Sequence, residues 1–153
     1  VLYLASKAYT ALAEIRPHPG HHVSIGAFET LTDLRMADFD PDITQFATND
    51  ERLAVYEIIQ AFDRLMSAPV TPDDKAGYRL TQLLAEILTV RGFDGVQYRS
   101  SVSDGVNFCL FDPASAQFIH GHSEVRFVKA VQYDAPEVPS LIVPDTGDRK
   151  IDL

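Results

Sequence analysis

The sequence predicts an α+β fold in a single domain. Three observations carry this. Val1 to Leu4 is a short, wholly apolar run set directly against a helix-forming stretch. Two long helical patterns then follow one another over 49–67 and 74–91, and several short strand patterns come after them instead of alternating with them. The length of 153 residues suits one domain with a core of its own.

The elements follow in order. Val1–Leu4 reads as a strand buried on both faces. Ser6 is the expected N-cap of a helix over Lys7–Arg16, which lacks Gly and Pro, and Pro17 disfavours helical geometry at Arg16. After the Pro19-Gly20 turn, Val23–Phe28 reads as a strand. Leu34–Phe39 is a weaker strand, ended by Asp40-Pro41-Asp42. The helix over 49–67 repeats Val55, Ile58, Ile59, Phe62, Leu65 and Met66 at helical spacing, with Asp50 and Glu51 in its first turn. Ala68–Pro72 is a stiff connector, readable as a substrate-side loop or as a plain link between helices. The helix over 74–91 has its stripe at Leu80, Leu83, Leu84, Ile87 and Leu88, and Gly92 closes it. Gly95–Ser100 and Asn107–Phe111 form a hairpin with a long polar loop, and 124–133 supplies a strand that closes the sheet. Residues 1–134 are the expected domain and 135–153 a docked tail.

Composition excludes several function classes. A formal net charge of −9 leaves no basic footprint for nucleic acid, although Arg16, Arg91 and Arg99 are local cations suited to a phosphorylated small molecule. The single cysteine, Cys109, lies in an apolar run, which excludes an internal disulfide and reads as an inert buried thiol. No stretch has the length and apolarity of a membrane span and no signal-peptide pattern is present, so a cytoplasmic location is expected. His18, His21-His22 and His120-x-His122 do not assemble a metal set, and the last pair falls in an expected loop. The chain begins with Val1, already inside a core strand, so we expect residues upstream.

Two polar groups stand out near the N-terminus. Tyr3 puts a hydroxyl into an apolar strand, and Glu14 sits among Ala11, Leu12, Ala13 and Ile15. A carboxylate there is costly unless it is paired or employed. On spacing alone, a core tyrosine and a solvated glutamate remain an equal alternative, and Ser100-Ser101 reads as turn residues.

Leu2–Ser6, Thr10–Pro17 and Gly92–Ser101, extended by Tyr78-x-x-Thr81-Gln82, Gly105-x-Asn107 and Leu110–Asp112, resemble the defining blocks of the RES-domain family, in order, over about residues 1–112. The resemblance implies a split, curved sheet with helices, similar to ADP-ribosyltransferase toxins of the diphtheria-toxin kind. It also implies an NAD+-consuming toxin of a bacterial toxin–antitoxin pair, silenced by an Xre-like antitoxin that occludes the cleft around Glu14 and His18. On the family pattern the catalytic residues are Glu14, Tyr3 and Ser100. NAD+ is the substrate, held by Tyr3, His18, Arg16, Ser100 and Asn107, with no metal. The family's arginine falls about ten residues before Tyr3, upstream of Val1. The acceptor of the ADP-ribosyl group is water, phosphate or a protein side chain. The competing expectation is a non-catalytic nucleotide- or protein-binding module of the same fold.

Overall fold

The computed structural model describes residues 1–67 and 75–132. Two sheets organise them. The first has four strands in the order β1 (Leu2–Ala5), β5 (Val106–Leu110), β4 (Gly95–Arg99), β3 (Met36–Asp38). β5 runs antiparallel to both of its neighbours, and β3 runs parallel to β4. The second sheet is an antiparallel ribbon of β2 (His22–Thr30) and β6 (Ala116–Phe127). Helix α1 (Ala8–Glu14) follows β1, while α2 (Asp50–Ser67) and α3 (Lys75–Val90) lie in sequence between β3 and β4. Two 3-10 turns, Ile43–Gln45 and Pro113–Ser115, complete the described elements. The architecture is α+β, as the element order in the sequence predicts.

Helix α2 starts where expected because the Asn49 side-chain oxygen accepts from the Arg52 N–H at 2.9 Å, satisfying a first-turn donor. Helix α3 ends at Gly92, whose φ of 76° is the left-handed geometry that glycine adopts without strain. Both helices cover one face of the four-stranded sheet. Ile59 and Phe62 from α2 and Leu84 and Leu88 from α3 pack against Ala37, Phe39, Val96 and Cys109. The other face, with Leu4, Phe108, Leu110 and Met36, looks across a cavity of about 1190 Å³ towards Val23, Ile25 and Phe28 of the ribbon.

Five expectations are corrected. β1 is not buried on both faces: it is an edge strand, paired with β5 alone, and Tyr3 is 66% exposed. Ser6 does not cap α1. It extends the β1–β5 pairing, donating its N–H to the Val106 carbonyl and accepting the Val106 N–H on its hydroxyl, so Lys7 takes the cap position without capping the helix through its side chain. α1 ends at Glu14, and the chain turns at Arg16 through a φ of 47°. The last strand spans Ala116–Phe127 instead of 124–133, and it pairs with β2 in the separate ribbon instead of closing the first sheet. His120 and His122 therefore sit in a strand and not in a loop. Its pairing with β2 shifts register between Gly26 and Phe28; Gly121 takes a φ of 80° in this stretch, and Gly26 leaves room for the Phe118 ring, which a Cβ there would meet at 2.7 Å. The Ala68–Pro72 connector and the 135–153 tail lie outside the described residues.

Candidate active site

Sheet register puts the key groups on one face. Tyr3 stands opposite Cys109 and Ala5 opposite Asn107, while Tyr98 pairs with Asn107 and Val96 with Cys109. Directly opposed residues point the same way, and alternate residues share a face. Tyr3, Cys109, Asn107, Tyr98 and Val96 therefore share the helix-covered face, with Tyr3 diagonal to Asn107 at a typical spacing of about 7–8 Å. Burial raises the pKa of the Tyr98 phenol strongly, and the neighbouring Cys109, Tyr3 and Glu14 push it the same way, so Tyr98 stays a neutral hydroxyl in this group.

Helix α1 brings the carboxylate. Its spacing of Lys7, Thr10 and Glu14 stacks these residues on one face. Each meets the β4–β5 loop in antiparallel order. Lys7 pairs with Asp104 at 2.9 Å, Thr10 accepts from the Ser103 hydroxyl at 2.9 Å, and Glu14 accepts from the Ser100 hydroxyl at 2.7 Å. The other face of the helix, at Ala8, Ala11 and Ile15, lines the intersheet cavity. Thr10 is fully buried, and Gly105 passes so close that a Cβ there would lie 2.0 Å from the Thr10 hydroxyl oxygen. The helix is thus zipped to the loop by polar contacts.

At the end of this zip, one carboxylate oxygen of Glu14 takes two donors. Ser100 Oγ donates at 2.7 Å and Asn107 Nδ2 at 2.5 Å, both to Oε1. Ser100 is aimed: its oxygen accepts the Val102 N–H at 3.2 Å, and its backbone N–H is held by the Gly105 carbonyl at 2.9 Å. Asn107 is only 6% exposed, whereas Glu14 faces solvent. Among the described residues, the second oxygen of Glu14 takes no hydrogen bond and stays open to a ligand hydroxyl.

The remaining predicted residues are placed elsewhere. His18 is exposed and meets His21 edge-on at 5.5 Å, and Arg16 is exposed. Among the described residues, no hydrogen bond or ion pair joins either to Glu14, Ser100 or Asn107. Arg99 pairs with Asp63 at 2.8 Å and Asp40 at 3.2 Å, so two carboxylates already hold this cation. Arg91 lies at the opposite end of β4 from Arg99. Among the described residues, no group of three or more His, Cys, Asp or Glu could hold a metal ion, and no helix is long and apolar enough to cross a membrane.

Sequence reasoning missed Thr10, Ser103 and Asp63. The signal for the first was available: polar residues at 7, 10 and 14 occupy one helical face, beside an apolar stripe at 8, 11 and 15. Asp63 sits beside Phe62 on the packed side of α2, and a buried-face aspartate asks for a partner.

The protein is an α+β domain whose first helix presents a carboxylate to a serine and an asparagine from a following hairpin. The chain belongs to the RES-domain family, whose model matches residues 1–130. That family is linked to NAD+ and to toxins of toxin–antitoxin pairs. No curated protein and no solved structure matches the chain.

Proposed function

We propose that the protein is an NAD+-consuming toxin that breaks the nicotinamide–ribose bond at Glu14. The observation that carries this reading is the exposed Glu14 carboxylate, fixed through one oxygen by Ser100 and Asn107 with the other left open. Bond cleavage passes through an oxocarbenium-like state, and an oriented carboxylate stabilises positive charge developing on the ribose. The C–N bond breaks with its electron pair leaving on nicotinamide, which departs neutral. The acceptor's nucleophilic oxygen or nitrogen attacks the ribose carbon and loses its proton to solvent.

Tyr3 supplies an exposed aromatic face on the same side of the sheet, suited to stacking on the nicotinamide ring. Ser100 and Asn107 orient the carboxylate, and His18 and Arg16, exposed and outside this hydrogen-bonded group, are the dinucleotide-binding residues that the family resemblance assigns. Water or phosphate as acceptor makes the protein an NAD+ glycohydrolase or phosphorolase, and a protein side chain makes it a mono-ADP-ribosyltransferase. An Xre-like antitoxin protein covering Glu14 would silence it in the cytoplasm.

The test is incubation with NAD+ carrying label in its ADP-ribose half. Label on a small product supports depletion, and label on protein supports transfer. Glu14→Gln should lower either by at least a hundredfold in a folded protein. Unchanged NAD+ loss in that variant would overturn the assignment of Glu14, and no NAD+ loss with the native protein would reduce the domain to a non-catalytic binding module.

A further inference from the structure

The geometry points to Asp63 as the positioning residue for Ser100, an inference that rests on the proposed role of the Glu14 site. β4 needs a partner at its last residue and has lost its strand. β3 pairs with β4 only as far as Asp38 opposite Gln97, and the last backbone bond on that side runs from the Phe39 N–H to the Gln97 carbonyl at 3.0 Å. The next N–H on the same edge belongs to Arg99. Asp63, reaching from α2, accepts it on Oδ1 at 3.2 Å. Its other oxygen takes the Arg99 guanidinium, from Nε at 3.2 Å and Nη2 at 2.8 Å. A side chain thus stands in for the missing strand, one residue before the serine whose hydroxyl meets Glu14.

Burial separates this clamp from a surface ion pair. Asp63 is 2% exposed. A carboxylate taken that far from water needs its bonds, and three of them come from the main chain and side chain of Arg99. Asp40 adds a second carboxylate to Arg99 at 3.2 Å. Burial first, then the charges of Asp63 and Asp38, raise the pKa of Asp40, while Arg99 lowers it. Two acids around one guanidinium leave no positive excess for a phosphate, so Arg99 is an anchor and not an anion-binding group.

The test compares two double variants of equal charge. Asp63→Asn/Arg99→Met keeps a side-chain carbonyl to accept the residue 99 N–H. Asp63→Ala/Arg99→Met removes that acceptor. Both remove the Asp63 and Arg99 charges together. With NAD+ as the probe, the first should keep kcat within about threefold of the native protein. The second should lose about tenfold in kcat per folded molecule, with KM changed less than twofold, because positioning of the reacting group is disturbed more than binding. Amide hydrogen exchange, which needs no activity, should be about tenfold faster at residues 99 and 100 in the second variant than in the first. Equal exchange in the two variants, or equal kcat in the two, overturns the proposal. Ser100→Ala separates the two levels of inference. If it consumes NAD+ as the native protein does, the reading of the Glu14 site fails, while the exchange comparison still decides whether Asp63 clamps β4.

Discussion

At the scale of single residues, what distinguishes Glu14 is that both of its donors converge on one oxygen. Ser100 opens the β4–β5 loop and Asn107 lies in the strand that follows it, and both reach Oε1. An amide can reproduce the acceptor but not the charge, so Glu14→Gln should fold with a thermal midpoint within a few degrees of the native one while losing NAD+ turnover. Circular dichroism melts beside the labelled assay check this. Asn107→Asp is more diagnostic, because it replaces a donor with a carboxylate of nearly the same shape. Two carboxyls at that distance share a proton, which raises one of them above its unfolded value of about 4. A raised folded pKa gives stability that is complete at low pH and lost as pH rises through it. The variant should therefore be near native in stability at pH 4 and about 1 kcal/mol weaker at pH 7, discounted for the exposure of Glu14. Urea titrations at the two pH values read the difference, and a pH-independent loss would argue against the shared contact. Glu14 and Ser100 were legible in the sequence through their matched blocks. Thr10 and Asp63 showed only as polar residues on their helix faces, and neither names its partner until the fold supplies Ser103 and Arg99.

At the scale of elements, α1 is only seven residues long, too short to hold itself together as a helix. Its stability comes from its two faces, one against the cavity lining and one against the β4–β5 loop. The second face is the tighter. Gly105→Ala would drive a methyl group into Thr10, with 2.0 Å to its hydroxyl oxygen and 2.9 Å to its Cβ. We expect a loss of about 2–3 kcal/mol, the upper range for overpacking. Combined with Thr10→Gly, the same change should cost clearly less than the sum of the two single losses, since the second substitution removes the obstacle met by the first. Chemical denaturation of the four proteins of that cycle measures the coupling, and additive losses would mean that the helix and loop do not touch as described. Elements of strong period were legible: α2 and α3 fall within a residue or so of their expected limits because 3.6-residue stripes and end signals agree. β6 was misplaced because His120, Gly121 and His122 interrupt the apolar alternation by which strands are recognised, and the ribbon bends there. Its pairing with β2 is a long-range choice that no local pattern encodes.

At the scale of the whole molecule, the four-stranded sheet divides two environments. Its helix-covered face holds two weak acids away from water, and both are biased against ionisation. Burial pushes the Cys109 thiol above its ordinary 9.0, with the Tyr3 hydroxyl acting the other way, and burial likewise pushes the Tyr98 phenol above its ordinary 10.0. The sign of the consequence follows from linkage. An unfolded chain releases these protons at the ordinary values, and the folded one retains them. Above the unfolded pKa the folded state therefore binds more protons, and stability falls as pH rises, by up to about 1.4 kcal/mol per pH unit for each group in its window. The protein should hold its urea midpoint from about pH 7 to pH 8.5, weaken from about pH 9 as the cysteine of the unfolded chain ionises, and steepen near pH 10 as the tyrosine joins it. Cys109→Ala should delay the onset by about one pH unit, and Tyr98→Phe should flatten the steeper part while leaving the onset in place. Urea unfolding followed by circular dichroism between pH 7 and 10.5 gives all three curves. If the native protein and Cys109→Ala weaken in parallel, the thiol is not held behind the sheet, and the packing of α2 and α3 over that face is looser than the structure has it.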